Sequence, residues 1–463
     1  MKNPRGIRSG ITIFLSLVLA LSMLGACSLL PGGNGGSTED PANGGENGSE
    51  LTSRQIMVNE SKVARYFGRI IDDPTSLMAF ANQMPKGADV RLVPSQILSA
   101  TMAGVALPFS EEEYRYILEQ AITKRIGYLE IVANVVPVNI QEFDSILNQI
   151  IREYANKGID FKVTVNYLAA VDANLCGDDF RDELIAAFAL YDASTRVVGV
   201  VILPATTREG FAAFEEQMKI IDQLCRARGY VPPSQAGNGA PLIGASPADT
   251  SMIPPISITI AAIDTGGNVP DGNGSGGNEL DGTGTGINGA SINNTSINNT
   301  GGNRPFDIET LVNRITLALD LGHAARIDYG ASIATEPDVY SLLKRMRDNG
   351  ISLTVVPVFE QGSSGFSTAD LSAYRLFASA GIKVALVTSA EDGSYLDIGL
   401  SYAKLAYAHA LSYKNLKTLA FDALDAAFLT PEERAKQREK LEADFREFEK
   451  NMAQAIDDLE LLK

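Results

Sequence analysis

The stretch IDFKVTVNYLAAV (159–171), followed by an amphipathic segment over Arg181–Leu190 and then by VVGVVIL (197–203), decides the fold. Two apolar, β-branched runs are joined by a segment of helical period. Strands that are apolar at consecutive positions are covered on both faces, and parallel strands need a helix to bring the chain back. The same unit recurs in both directions. ADVRLV (88–93) and YLEIVANVV (128–136) come before it. ISITIAAI (256–263), ARIDYG (325–330), ISLTVVPV (351–358) and IKVALVTS (382–389) come after it. Helical patterns fill the intervals at Ile140–Tyr154, Gly210–Leu224, Ile308–Leu321, Val339–Met346 and Leu371–Ala380, and residues 56–83 read as helical with a break near Asp73-Pro74. Gly158, Gly229, Gly350 and Gly381 stand where helices stop before the next strand. Eight strands alternating with helices predict an α/β chain folded as a (β/α)8 TIM barrel. A doubly wound open sheet would carry a Gly-rich phosphate turn after an early strand, and the sequence has none.

Composition bounds the function. The chain has 463 residues, 45% of them hydrophobic, enough for a large core. Its formal charge is −17, and residues 1–26 hold Lys2, Arg5 and Arg8 without an acid, so the rest stands at −17 − 3 = −20. Such a balance argues against nucleic acid as a partner, because phosphate binding concentrates Lys and Arg. With only two histidines, His323 and His409, a site built on three imidazoles is excluded by counting. His323 follows a helix end at Gly322 and is expected to cap it; His409 lies on a helix, at its surface or in packing.

The amino terminus reads as an address. Three cations precede the apolar run ITIFLSLVLALSML (11–24), which is short for a bilayer span and fits a signal h-region. It ends in Leu24-Gly25-Ala26-Cys27, which resembles the bacterial lipobox. That resemblance implies cleavage before Cys27 and a diacylglycerol on its thiol. Residues 1–26 are then a signal peptide and 27–50, rich in Gly, Asn and Ser, a tether with a reach on the order of 25 Å. The body, 51–463, is expected on the extracytoplasmic face of the cell membrane, with the membrane as a partner through its lipid. In that oxidising compartment Cys176 and Cys225 form a disulfide or remain two separate thiols. Two low-complexity insertions, 231–255 and 265–304, flank the fifth strand and are expected to lack order. The mixed-charge segment from Pro431 to Lys463 reads as a covering helix.

Several landmarks are similar to the adenosine deaminase family, in particular its secreted, growth-factor-like branch. Met84-Pro85-Lys86-Gly87-Ala88-Asp89 before a strand resembles MPKGADLHNHLSG. Val197-Val198-Gly199 resembles the lead-in to GxDLAGxE, and Arg326-Ile327-Asp328-Tyr329-Gly330 resembles RIGHG. Pro357 falls at the CPxSN turn, Thr388 at TDDP, and Leu416–Leu429 at the NSIxASF helix. The likeness runs from residue 84 to about 445. It implies a metal-dependent-hydrolase barrel, zinc as cofactor, and hydrolytic deamination of a purine.

The sequence departs from that family where the chemistry resides. The zinc-binding positions carry Arg91, Val93, Ala261 and Ser389. The catalytic positions carry Asp264, Tyr329 and Ala390, and the substrate strand has Val201, Pro204 and Thr206. A guanidinium, two hydrocarbons and a hydroxyl do not hold a dication. No catalytic residue, no metal and no cofactor are therefore expected. Arg91 is expected to occupy the vacated space and pair with Asp264 or Asp89, near other mouth groups such as Asp328, Thr388 and Glu391. The function expected is a lipid-anchored binding or scaffolding pseudoenzyme, with a purine-like ligand or a protein as partner. The alternative is an active adenosine or purine deaminase, or another hydrolase with a remodelled site.

Overall fold

The structure is a computed structural model. It describes residues 52–92, 111–133, 137–157, 163–203, 205, 208–230, 253–259, 308–328, 333–334, 338–355, 373–386, 398–459 and 461. Helices α1 (Ser53–Ile70) and α2 (Pro74–Gln83) lead into β1 (Lys86–Leu92). Then follow α3 (Glu111–Thr123), β2 (Ile126–Ala133), α4 (Pro137–Asn156), β3 (Thr164–Val171), α5 (Gly177–Ala193), β4 (Val197–Ile202), α6 (Arg208–Ala227) and β5 (Ile256–Thr259). The second half holds α7 (Ile308–Asp320), β6 (Ala324–Asp328), α8 (Val339–Asp348), β7 (Ser352–Val355), α9 (Ala373–Ser379) and β8 (Val384–Leu386). Helices α10 (Ile398–His409), α11 (Tyr413–Ala426) and α12 (Pro431–Asp458) close the chain.

The eight strands form one sheet in the order β1 to β8, every neighbouring pair parallel, and β8 returns to lie against β1. This is the (β/α)8 barrel expected from the alternation of strands and helices. Its apolar strands bury both faces. Leu129, Ile131, Val165, Tyr167, Val200 and Ile202 join the large core between sheet and helices. The alternate residues Val132, Leu168, Ala170, Val201 and Leu203 form a separate inner cluster with Phe428.

The break at Asp73-Pro74 is a helix start: the Asp73 carboxylate accepts from the Thr75 amide at 3.2 Å and Pro74 takes the first turn, where its missing N–H is harmless. Gly229, Gly350 and Gly381 have φ of 87°, 69° and 77°, the left-handed C-cap expected of them, whereas Gly158 lies outside the described residues. Past α7 the left-handed residue is His323 itself, at φ 49°. Its Nε2 lies 2.8 Å from Asp222 Oδ1 and its ring 4.4 Å from that of Tyr230. A Cβ at Gly322 would crowd the backbone, standing 2.8 Å from the Ala318 carbonyl oxygen. Of the two readings of His409, packing is the one found: it is buried at the end of α10 beside Tyr374.

Helix α12 covers the barrel with one face, burying Phe445, Phe448 and Met452 together with Glu449. Glu449 Oε1 accepts from Tyr413 Oη at 2.9 Å and from Lys417 Nζ at 2.7 Å. The segments read from sequence as leader (1–26), tether (27–50) and insertions lie outside the described residues, apart from 253–255. Ile253–Pro255, placed by sequence in the first insertion, instead lead into β5, and the Pro255 carbonyl accepts from the Val200 amide at 2.9 Å.

Gly87 marks where β1 meets α11, and a Cβ there would stand 1.9 Å from the Ala420 carbonyl oxygen. Gly87→Ala is expected to lower stability by about 1–3 kcal/mol, as overpacking of a tight core does. A shift of the urea midpoint to lower concentration, with unchanged slope, checks it.

Candidate functional site

Barrel chemistry gathers at the carboxyl ends of the strands. The interior beneath that mouth is built from polar residues set into apolar strands. Glu130 interrupts YLEIVA in β2, and Arg326 and Asp328 interrupt β6. All three are buried, Arg326 and Glu130 at 0% exposure. Register explains their meeting, with Glu130 opposite Asn166 on β3, and Ser257 of β5 opposite Arg326, which in turn pairs with Ser352 of β7.

Arg326 connects these parts. Its Nε donates to Asp328 Oδ1 at 3.0 Å, and its Nη1 donates to Glu130 Oε2 at 2.8 Å and to the Ala426 carbonyl at 3.1 Å. Its guanidinium lies 4.3 Å from the centroid of the Phe428 ring. Glu130 Oε1 also accepts from the Phe428 amide at 2.5 Å. Asp328 Oδ1 accepts from Thr354 Oγ1 at 2.9 Å, and Oδ2 accepts from Ser257 Oγ. Burial would lower the Arg326 pKa, yet Asp328 and Glu130 beside it raise it above the usual guanidinium value, so the charge is fixed. The Tyr128 hydroxyl accepts from Asn166 Nδ2 at 3.0 Å; burial, then the Glu130 charge, push its pKa well above 10.0. The three ionised side chains sum to −1, and Ser257, Thr354 and the Phe428 amide donate to the excess.

A second carboxyl lies at the mouth, behind the loop that follows β3. Asp172 Oδ1 accepts from the amide and side-chain nitrogens of Asn174 at 2.8 and 2.9 Å. Gln217 Nε2 holds the loop by donating to the carbonyls of Ala173 and Leu175, each at 2.8 Å. Glu183 Oε1 accepts from the Asp172 amide at 3.3 Å. Burial, helped by the Asp172 charge and opposed by that hydrogen bond, raises the Glu183 pKa from 4.5 to about 7.

Of the mouth groups read from sequence, Asp328 alone has a described side chain, and it faces Arg326. Arg91 is in β1, in register with Ile131, with its side chain outside the described residues. Val93, Ala261, Asp264, Tyr329, Thr388, Ser389, Ala390 and Glu391 also lie outside them, as do Pro204, Thr206 and Cys27. Asp89 is buried, and its charge, after burial itself, raises the Tyr402 hydroxyl pKa. Val201 is in the inner cluster. Cys176 and Cys225 are not bridged: Cys176 is exposed at the start of α5 and Cys225 is buried in α6, where burial pushes its thiol up to about 12. Among the described residues no group of three His, Cys, Asp or Glu side chains is placed to hold a metal ion.

Sequence reading missed Glu130, Ser257, Thr354 and Glu183. The signal for the first was present, since a lone carboxylate inside an apolar strand requires a buried cation.

The adenosine deaminase family model matches residues 309–444, from α7 into α12. No curated protein matches the chain. Among solved structures, a zinc-bound amidohydrolase from Burkholderia ambifaria is 14% identical at a TM-score of 0.46, over 81% of this chain and 94% of that one. An adenine deaminase from Arthrobacter aurescens is 16% identical at 0.41, over 78% and 98%. The N6-mAMP deaminase of Arabidopsis is 14% identical at 0.45, over 78% and 99%.

Two outcomes follow from this geometry. Arg326→Ala leaves two buried carboxylates uncompensated and is expected to lower stability by about 3–5 kcal/mol. A denaturant titration of the variant against the parent protein reads the loss. For Glu183 the folded pKa lies above the unfolded one, so between about 4.5 and about 7 the native state holds the extra proton. Stability contributed by that proton is full below the lower value and lost as pH rises through the upper one. Glu183→Gln is expected to flatten this part of the Tm–pH curve.

Proposed function

We propose that the chain is a membrane-anchored lipoprotein whose deaminase-like barrel binds or scaffolds outside the membrane and does not deaminate purines. The observation that carries this reading is Asp328. In the motif that Arg326–Gly330 resembles, a glycine stands at that position. Here a carboxylate stands there, engaged by Arg326, Thr354 and Ser257. The side chain at that position is therefore tied into the protein's own ion network, which supports the reading. The donor set at the family's metal positions supports the same reading, since Arg91, Val93, Ala261 and Ser389 supply one cation, two side chains without lone pairs and one neutral oxygen. These residues do not fit zinc. Cys27 carries the anchor on this reading, and the ligand is a purine-like small molecule in the remaining mouth or a protein on its rim.

The match to the adenosine deaminase family model over 309–444 favours the second reading, an active purine hydrolase with a remodelled site. Metal analysis of the purified protein together with an adenosine assay separates the two. The expected result is no stoichiometric zinc and no inosine. One zinc per chain with inosine formed identifies a deaminase and ends the pseudoenzyme reading. A melting-temperature screen of nucleosides then divides binding from scaffolding: a purine near a hundredfold its Kd adds about 2.7 kcal/mol of stability, and a flat screen assigns the role to protein contacts.

A further inference from the structure

Helix α1 has two unlike faces. Val63, Tyr66, Phe67 and Ile70 are buried, and the Phe67 ring lies 5.1 Å from Phe80 and 6.3 Å from Tyr413. The opposite face is solvent-exposed at Arg54, Met57, Val58, Ala64, Arg65 and Arg69. Spacings of four, seven and eleven residues place these side chains along one stripe. Met57 is 71% exposed, although most large apolar side chains of the body are covered.

The charge of this stripe opposes that of the whole molecule. In a chain of formal charge −17, α1 carries Arg54, Lys62, Arg65 and Arg69 against a single acid, Glu60. Glu60 lies 3.8 Å from Lys417 Nζ, and Asp457, the neighbouring carboxylate on α12, is bridged to Lys62. Asp457 is thus paired, Glu60 shares Lys417 with Glu449, and the exposed face between Arg54 and Arg69 carries no acid, with Asp72 exposed just past the end of the helix. Arginines flanking exposed apolar side chains on one helix face match an anionic phospholipid surface, where cations meet headgroups and apolar side chains enter the acyl boundary.

Position in the chain supplies the second argument. Thr52, the N-cap of α1, is 25 residues after Cys27. A tether of that length reaches on the order of 25 Å. The helix nearest the anchor would spend its time at high effective concentration beside the bilayer.

We propose that α1 docks on the anionic surface of the membrane that holds the Cys27 lipid, with Met57 and Val58 in the interface and Arg54 and Arg65 on phosphates. This inference rests on the anchor reading, and its test separates the two. The chain has no tryptophan, so Met57→Trp introduces a single indole at an exposed position. The full acylated chain is reconstituted in vesicles of phosphatidylcholine with one quarter phosphatidylglycerol, and in pure phosphatidylcholine. The expected result is a blue-shifted emission, quenched by brominated acyl chains, in the anionic vesicles. The shift is expected to be lost when Arg54→Glu and Arg65→Glu are added. Tyr340→Trp, on α8 and 74% exposed in the native residue, serves as the comparison and should stay unshifted.

An acylated chain whose indole at position 57 stays water-exposed on anionic vesicles overturns the docking and leaves the anchor standing. Equal shifts at 57 and 340 mean general adsorption and also overturn it. If mass spectrometry finds Cys27 unmodified, the anchor reading fails. The docking then stands on whether the unacylated chain still shifts at 57 on anionic vesicles, and an unshifted emission overturns it too.

Discussion

A guanidinium with no exposed surface leaves its neighbours little freedom. An ion taken out of water carries a penalty of several kcal/mol that only well-placed partners offset. Arg326 therefore dictates where four other parts of the chain must be. Glu130 comes from β2, which is not adjacent to β6 in the sheet, so this bond spans the barrel interior. The Ala426 carbonyl is the last residue of α11, and Phe428 follows it under the ring of strands. One side chain thus fixes the inner dimension of the barrel and the point at which the C-terminal helices enter it. Gly199 obeys the same constraint from β4, because a Cβ there would stand 2.4 Å from Phe428 Cδ2.

The same network bears on chemistry. Two carboxylates share one cation, and the leftover negative charge is met by hydroxyls and a backbone amide. Each acceptor oxygen of Asp328 and Glu130 already has a donor. Groups in this state are poor bases and poor metal ligands, because recruiting them would strip a partner from a buried charge. Glu183 differs. It is held by a single backbone donor behind a rigid loop, and its raised pKa places it among carboxyls that can carry a proton near neutrality. The interior network thus serves cohesion, while burial leaves Glu183 on α5 and Asp422 on α11, raised to about 6, as carboxyls able to carry a proton.

The barrel was legible because covered parallel strands cannot hide their periodicity. All eight strands and most of the helices could be read from apolar runs and Gly stops, whereas α3 between β1 and β2 was not singled out. The strand read over 159–171 begins at Thr164, and residues 159–162 lie outside the described residues. The capping by His323 was legible in position and not in geometry, because the pairing with Asp222 joins residues 101 apart in sequence. The Arg326 network was illegible for the same reason, its bonds spanning separations of 196 and 298 residues. Cys176 and Cys225 could not be settled from sequence, as their separation in space depends on how α5 packs on α6.

Strand β5 depends on the same network. It has four residues, and long segments outside the described residues adjoin it on both sides. Little local sequence therefore specifies its register, and a slip by one residue would exchange its two faces. Ser257 is its inward residue in register with Arg326, and its hydroxyl donates to Asp328, while Ile256 and Ile258 face the outer core. A slip would withdraw that donor from a buried carboxylate and set an isoleucine against it. The ion network is thus also the register lock of the strand least able to lock itself. Loop expansion on either side of β5 is tolerable on these terms, because closure entropy grows only slowly with loop length once both ends are pinned.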